Sequence, residues 1–459
     1  MKLILQTTAV LLFALISFAS ISQDAKSEPK EEKVKTGWNF GGLPVVSFDS
    51  DLGFQYGALL NLFNYGDGSM YPDFKHNLYL EWSRFTKGSG INRIFFDSKQ
   101  LIPGIRFTSD LSYLTDRMYD FFGYNGYESV YNAPWTNSDE PDYLSRAFYK
   151  YDRKLFRFAI DLQGKLPIEN FGWAAGVWFL NYNVGSVDID KLNEGKTEDL
   201  LPSIPSLYDH YINWGLISPE EAEGSFVSYI KAGVVYDTRD NEPNPNRGMW
   251  TEAVFTYAPS FMGIGSNYQH MKFTLTHRQY FTLFPERLTF AYRLGYQGTV
   301  FGDVPFYLQP NITTLILRGS TSEGLGGGKS LRGVIRNRVI GDGVAWANLE
   351  MRWKFVKFQF IGQNFYLSLN GFVDGGQVIT PVKFNTSNVD WASYDWQTPD
   401  RTLTQDDIFG SDSESLHLSY GAGLRVVMNR NFIVAIDHGR PFDDRDGTSG
   451  TYIGLNFLF

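Results

Sequence analysis

The chain has 459 residues, longer than one ordinary globular core, which leaves either several domains or one large barrel. A formal net charge of −9 with no basic stripe argues against a nucleic-acid partner. The absence of cysteine excludes disulfides, thiolate metal sites, cysteine nucleophiles and anchoring through a lipidated cysteine.

The N-terminus reads as an export signal. Lys2 supplies a short positive region, Ala9 to Ile16 is unbroken apolar sequence extended by Phe18 and Ala19, and Ser20 and Ser22 are small residues suited to cleavage before Gln23. Residues 1–22 are therefore expected to be a signal peptide, and the polar, charged stretch 23–37 a disordered periplasmic tether. Beyond the signal no helix-length apolar run occurs, so a membrane protein with this sequence must cross by strands.

From Trp38 to Phe459 the pattern has period two. In Leu155–Gln163, Phe156, Phe158, Ile160 and Leu162 share one face, while Arg157, Ala159, Asp161 and Gln163 share the other. Strands are predicted near 39–49, 53–65, 75–87, 91–101, 104–116, 149–164, 171–187, 225–239, 248–260, 267–283, 287–301, 344–355, 364–379, 415–429, 431–439 and 450–459. Residues 38–459 thus read as an all-β fold, a transmembrane antiparallel β-barrel of about sixteen strands, the even number that single-chain bacterial barrels require. Aromatics make up 17% of the chain and suit girdles at both membrane interfaces. The long connections 117–148, 188–224, 302–343 and 380–414 all follow odd-numbered strands. That parity matches long outer loops and short periplasmic turns, and places the protein in a bacterial outer membrane among its lipids.

In the last strand Ile453, Leu455, Phe457 and Phe459 are expected to share the outward face, with Phe457 and Phe459 forming a C-terminal recognition signal. In the first strand Gly41, Gly42 and Pro44 weaken pairing, because glycine packs no side chain and proline donates no ladder hydrogen bond. A weak seam against the sixteenth strand follows.

Three further segments stand out. They are Val235-Tyr-Asp-Thr-Arg-Asp-Asn241 with its closing Gly248, Leu331-Arg-Gly-Val334 in the long eleventh connection, and Phe372-Val-Asp-Gly-Gly376 on the thirteenth strand. Together they resemble the BamA/TamA-like superfamily of outer-membrane assembly and secretion barrels, the bacterial surface antigen family. The resemblance implies sixteen strands and an outer loop folded into the lumen. Asp237, Arg239, Asp240 and Gly248 would form the family's turn motif, and Phe372, Asp374 and Gly376 its strand motif. Arg332 and Gly333 would belong to the loop tetrapeptide, with Arg332 contacting an acid at Glu350 and at Asp374. Alternation independently turns Glu350 and Asp374 inward, where one guanidinium could bond to both in a partly wet lumen. This sequence departs from the tetrapeptide in ending on Val334 rather than an aromatic, and it reads as a member lacking periplasmic substrate-receiving domains.

The remaining motifs lead elsewhere. Gly324-Leu-Gly-Gly-Gly-Lys-Ser330 fails the phosphate-loop spacing. Asp240 to Asn246 has Pro245 where a calcium loop needs glycine, and Asp443, Asp444 and Asp446 read as a solvated turn. With six histidines, few of them facing inward, no serine–histidine–acid set forms, so no enzyme activity, cofactor or metal is expected. The function expected from the resemblance is outer-membrane protein or lipid biogenesis with a partner, such as a periplasmic chaperone or another assembly barrel. The alternative is a structural or porin-like barrel without export activity.

The parity of the connections makes a direct prediction. Tags inserted within 120–140, 195–215 or 385–410 will be reachable on intact cells, whereas tags within 242–246 will not. Surface labelling at 242–246 would reverse the orientation.

Overall fold

The computed structural model describes residues 33–49, 52–263, 268–313, 323–387, 389 and 404–459, so the expected signal peptide and most of the tether lie outside the described residues. Lys35 onward forms one compact unit built on a single sheet of sixteen strands. The strands are β1 (Trp38–Asp49), β2 (Gly53–Asn64), β3 (His76–Phe85), β4 (Gly90–Ile102), β5 (Ile105–Asp120), β6 (Lys150–Lys165), β7 (Phe171–Gly185) and β8 (Phe226–Asp237). They continue as β9 (Gly248–Ala258), β10 (His270–Phe284), β11 (Leu288–Gly302), β12 (Gly343–Phe360), β13 (Gln363–Thr380), β14 (His417–Met428), β15 (Phe432–Pro441) and β16 (Gly450–Leu455). Each strand pairs antiparallel with its neighbour in sequence, the meander of an up-and-down barrel.

Alternation sorts the two faces. On β12, Leu349, Met351 and Trp353 are exposed on the outside, and Asn348, Glu350 and Arg352 are buried inside. The outer face needs no polar partner in lipid because the ladders satisfy the backbone. Among the described residues no helix is long and apolar enough to cross a membrane. Turns after even-numbered strands are tight in most places. The β14–β15 turn, for example, sets Asn429 and Arg430 at φ 50° and 63°, the left-handed geometry that matches strand twist.

Among the described residues no ladder joins β1 to β16. The backbone of β1 lies against a side chain of β15 instead. A Cβ on Gly41 of β1 would sit 2.5 Å from the Phe432 ring of β15. Phe432 packs with Phe63, Tyr65 and Phe74.

The last strand departs from expectation. β16 ends at Leu455, and Asn456 at φ 71° breaks the alternation. Ile453 points outward and is 72% exposed, but Phe457 turns inside and packs against Tyr366, Val427 and Ile433. The Arg352 guanidinium lies over the rings of both Phe457 and Phe459, at 4.4 and 4.9 Å. Phe457 and Phe459 therefore do not share the outward face with Ile453.

The long connections close over one end of the barrel around an aromatic core. Trp135, Phe148, Tyr149, Tyr208, Tyr211 and Phe306 are all buried there. Phe121 and Tyr211 meet edge to face at 5.0 Å, a geometry favoured by the ring quadrupoles. Much of the aromatic excess therefore fills this cap rather than girdling the membrane. Two short helices, α1 (Ile189–Asn193) and α2 (Leu207–Asn213), lie in the β7–β8 connection. A reciprocal box between Ser206 and Asp209 caps α2. The turn expected to be solvated is also part of the cap. Asp446 is fully buried and accepts hydrogen bonds from the Tyr127 hydroxyl at 2.7 Å and from His417 Nδ1 at 2.6 Å.

On α2, burial pushes the His210 imidazole down to about 4, between Phe148 and the stacked Trp214. An exposed histidine titrates near 6.5, so the opened cap binds the proton more readily than the closed one. The contribution of His210 to cap stability is fully present above about pH 6.5 and is lost as pH falls toward 4. Proteolysis within 194–204 is expected to accelerate over that window, and His210→Phe to flatten the dependence. A cutting rate independent of pH would contradict this account.

Candidate functional site: an arginine bound inside the barrel

The β11–β12 connection leaves the cap and enters the lumen. Leu325, Leu331 and Val334 bury themselves with Val339, Val344, Trp346 and Val378. Val334, which stands where the resemblance implies an aromatic, is fully buried in this apolar cluster. The cluster carries the chain down to Arg332.

Arg332 is 0% exposed, and each bonding edge of its guanidinium faces a carboxylate. Nε donates to Asp374 Oδ2 at 2.8 Å and Nη2 donates to Asp374 Oδ1 at 2.9 Å, a bidentate pair. Nη1 donates to Glu350 Oε1 at 2.6 Å. The Arg332 backbone N–H also donates to Asp374 Oδ2, at 3.0 Å. The flat face of the guanidinium rests on the Phe372 ring at 3.6 Å, a cation–π contact strengthened by the absence of water.

Each residue of the strand motif has a physical part in this arrangement. Phe372 supplies the ring and Asp374 the carboxylate, two residues apart on the inward face. Gly376 leaves space for Leu331, since a Cβ there would lie 2.8 Å from the Leu331 side chain. Gly333 sits at φ 102°, where an L side chain is strained, and a Cβ on it would come within 2.6 Å of the Arg440 nitrogen. Its N–H donates to the Tyr452 hydroxyl of β16 at 3.1 Å.

The network extends beyond the residues singled out from sequence. Glu350 Oε2 accepts from Arg352 Nε at 2.7 Å, and Arg352 Nη2 donates to the Phe459 main-chain oxygen at 2.8 Å. Asp437 lies 3.7 Å from Arg332 and is held by both terminal nitrogens of Arg425 at 2.8 Å. Arg352 and Asp437 have the inward parity of their strands, so alternation places them in the lumen but not in this network. The lumen at Arg332 is closed rather than partly wet, because Arg332, Glu350 and Asp374 are all excluded from solvent.

The other motif residues lie elsewhere. At the β8–β9 turn, Arg239 grips Asp237 bidentately at 2.9 and 2.7 Å and stacks on Trp250 at 4.0 Å. Asp240 Oδ1 accepts from the Asn246 and Arg247 N–H groups at 2.9 and 3.3 Å. Gly248, at φ 94°, passes so close to the Thr238 carbonyl that a Cβ would lie 2.2 Å from it. Gly41, Gly42 and Pro44 lie in β1, which pairs with β2 along one edge and carries no ladder along the other. Among the described residues no cluster of metal-ligating side chains is present.

Residues 103–459 match the Omp85 superfamily domain, and the chain belongs to that superfamily. Its barrel has the fold of CdiB from Escherichia coli, with a TM-score of 0.52 and 11% identity over 92% of this chain and 62% of that one. The chain thus spans less than two thirds of CdiB. BamA from Haemophilus ducreyi lacking POTRA domains 1-3 aligns with a TM-score of 0.47 and 16% identity, covering 92% of this chain and 69% of that chain. No curated protein matches this chain. Family and fold together make it an outer-membrane β-barrel.

Removing one partner of a buried ion pair strands the other, so Arg332→Ala is expected to lower barrel stability by about 3–5 kcal/mol. The midpoint of the heat-induced gel shift should drop accordingly. Asp374→Ala should act similarly, and the double variant should add little, because both substitutions break one network. Arg332→Lys should rescue poorly, since an ammonium cannot grip two carboxylates through a planar fork. Additive losses in the double variant would show that the pair does not work as a unit.

Proposed function

We propose that this Omp85-superfamily barrel acts in outer-membrane protein or lipid biogenesis, by parting the β1–β16 seam while Arg332 latches the inner loop to the wall. The supporting observation is the seam itself, where neither β1 nor β16 carries a ladder on its outer edge and Gly41 of β1 lies against the Phe432 ring of β15. An unpaired edge offers backbone N–H and C=O groups to an incoming strand. The latch network reaches the same edge, through the Gly333 N–H and the Tyr452 hydroxyl on β16. A substrate would be delivered by a partner, a periplasmic chaperone or another assembly barrel, and the surrounding lipid would take part.

The second reading, a structural or porin-like barrel, predicts a large steady conductance. The aromatic cap and the buried loop favour small, flickering openings instead.

The test locks the seam. Gly41→Cys and Phe432→Cys place two sulfurs where a glycine now meets a ring, and the chain has no other cysteine. The oxidised pair is expected to remove activity in cells, such as rescue of an envelope-permeability defect in a deletion strain, and reduction to restore it. Full activity with the disulfide formed in every molecule would exclude seam opening. A steady conductance of porin size in planar bilayers would favour the second reading.

A further inference from the structure

The end of the barrel opposite the cap carries two connections that are long for that end, 65–75 and 238–247. The second is the β8–β9 turn, and its side chains reach two separate stretches of wall. On one side Glu242 accepts from Arg106 of β5 at 3.0 and 2.8 Å and pairs with Lys99 of β4 at 2.9 Å. Arg106 is itself fixed by Asp97, through Nε at 2.8 Å. On the other side Asn246 Oδ1 accepts from Lys354 of β12 at 2.6 Å, and the Asn246 carbonyl accepts from Thr282 of β10 at 2.9 Å. The turn therefore spans from β4 and β5 to β10 and β12 instead of hanging free.

It is also built to hold its shape. Pro243 and Pro245 fix two backbone angles, Asp240 closes the base onto Asn246 and Arg247, and Arg239 is clamped between Asp237 and Trp250. A stiff turn loses little further entropy when it docks. An ordinary strand connection needs none of these contacts.

We propose that the β8–β9 turn is a stopper seated in the mouth opposite the cap, with Glu242 as the residue that seats it. It closes the lumen at that end as the cap closes the other, and seating depends on the paired charges of Glu242 with Arg106 and Lys99. This assignment is independent of whether the seam opens.

The test uses the full-length protein in liposomes. Ser368 on β13 is buried, faces inward and pairs with Lys354, the residue that holds Asn246. Ser368→Cys provides a single thiol behind the stopper, because the native chain has none. Its labelling by a membrane-impermeant maleimide should be slow with the native turn. Adding Glu242→Ala should speed labelling by about tenfold or more, the factor that 1.4 kcal/mol of lost docking energy gives. Adding Glu242→Gln, which keeps the shape and loses the charge, should give an intermediate rate. The heat-induced gel shift reports whether each variant is folded. Fast labelling with the native turn would show that the mouth is open and overturn the proposal without any change in the turn. Unchanged slow labelling in a folded Glu242→Ala barrel would show that Glu242 does not seat it.

Discussion

A guanidinium shut away from water must be met by formal charge, and Arg332 is met by two carboxylates from adjacent strands. This requirement organises the barrel interior. Glu350 stands opposite Phe372 in the β12–β13 ladder, and Asp374 lies two residues further along β13. A slip of one residue between these strands would send Glu350 or Asp374 to the lipid face and leave the arginine unpaired. The loop has to arrive at the same depth, and Gly333 and Gly439 allow it. A Cβ on Gly439 would lie 2.5 Å from the Arg332 carbonyl, so backbone meets backbone where any side chain would hold the two apart. Two of the three motifs of the sequence, the loop tetrapeptide and the strand motif, are therefore the conditions for placing one charge inside a barrel.

The strands were readable because period-two alternation is a local property, repeated over ten or more residues in most of them. All sixteen were visible, and the four long connections follow β5, β7, β11 and β13 as the parity argument required. Alternation likewise turns Glu350 and Asp374 inward, while their meeting with Arg332 is what the family resemblance implied, since other acids such as Asp110 and Glu252 face inward too. What escaped notice depends on single residues or on distant pairing. Asparagine tolerates a left-handed backbone, but nothing marks Asn456 among the other asparagines as adopting one, and that one angle turns Phe457 and Phe459 from the lipid face into the lumen. Glu242 and Arg106 are 136 residues apart, and no periodicity connects a turn to a strand across the lumen. The cap was unreadable for a third reason. Its aromatic residues pack in irregular segments, where neither face nor period exists to be read, and Asp446 looks like any surface aspartate until Tyr127 and His417 cover it.

The interior is held largely by charge. Arg157 and Arg93 share Asp110, Lys231 pairs with Asp161, and Arg278 with Glu252. Apolar packing of equal volume would commonly be as stable or more so, which makes stability alone a poor reason for such a lumen. An ion pair differs from apolar packing in what happens when it separates. Its groups can be taken up by water or by another charged partner, whereas a parted apolar contact exposes surface that water penalises. A lumen wall lined with paired charges can therefore release a loop or a turn at lower cost than an apolar wall could.

That difference separates the ways in which four parts of the barrel are held. The cap is aromatic and apolar, so opening it exposes hydrophobic surface. The β8–β9 turn is held by charged and polar contacts, with Glu242 on one side and Asn246 on the other. The Arg332 loop combines both, with an ionic head and an apolar neck of Leu325, Leu331 and Val334. The seam has no ladder, and what packs there is apolar, Phe432 against Gly41 and with Phe63, Tyr65 and Phe74. Opening the cap must expose the most apolar surface, whereas freeing the turn strands mainly charged and polar groups.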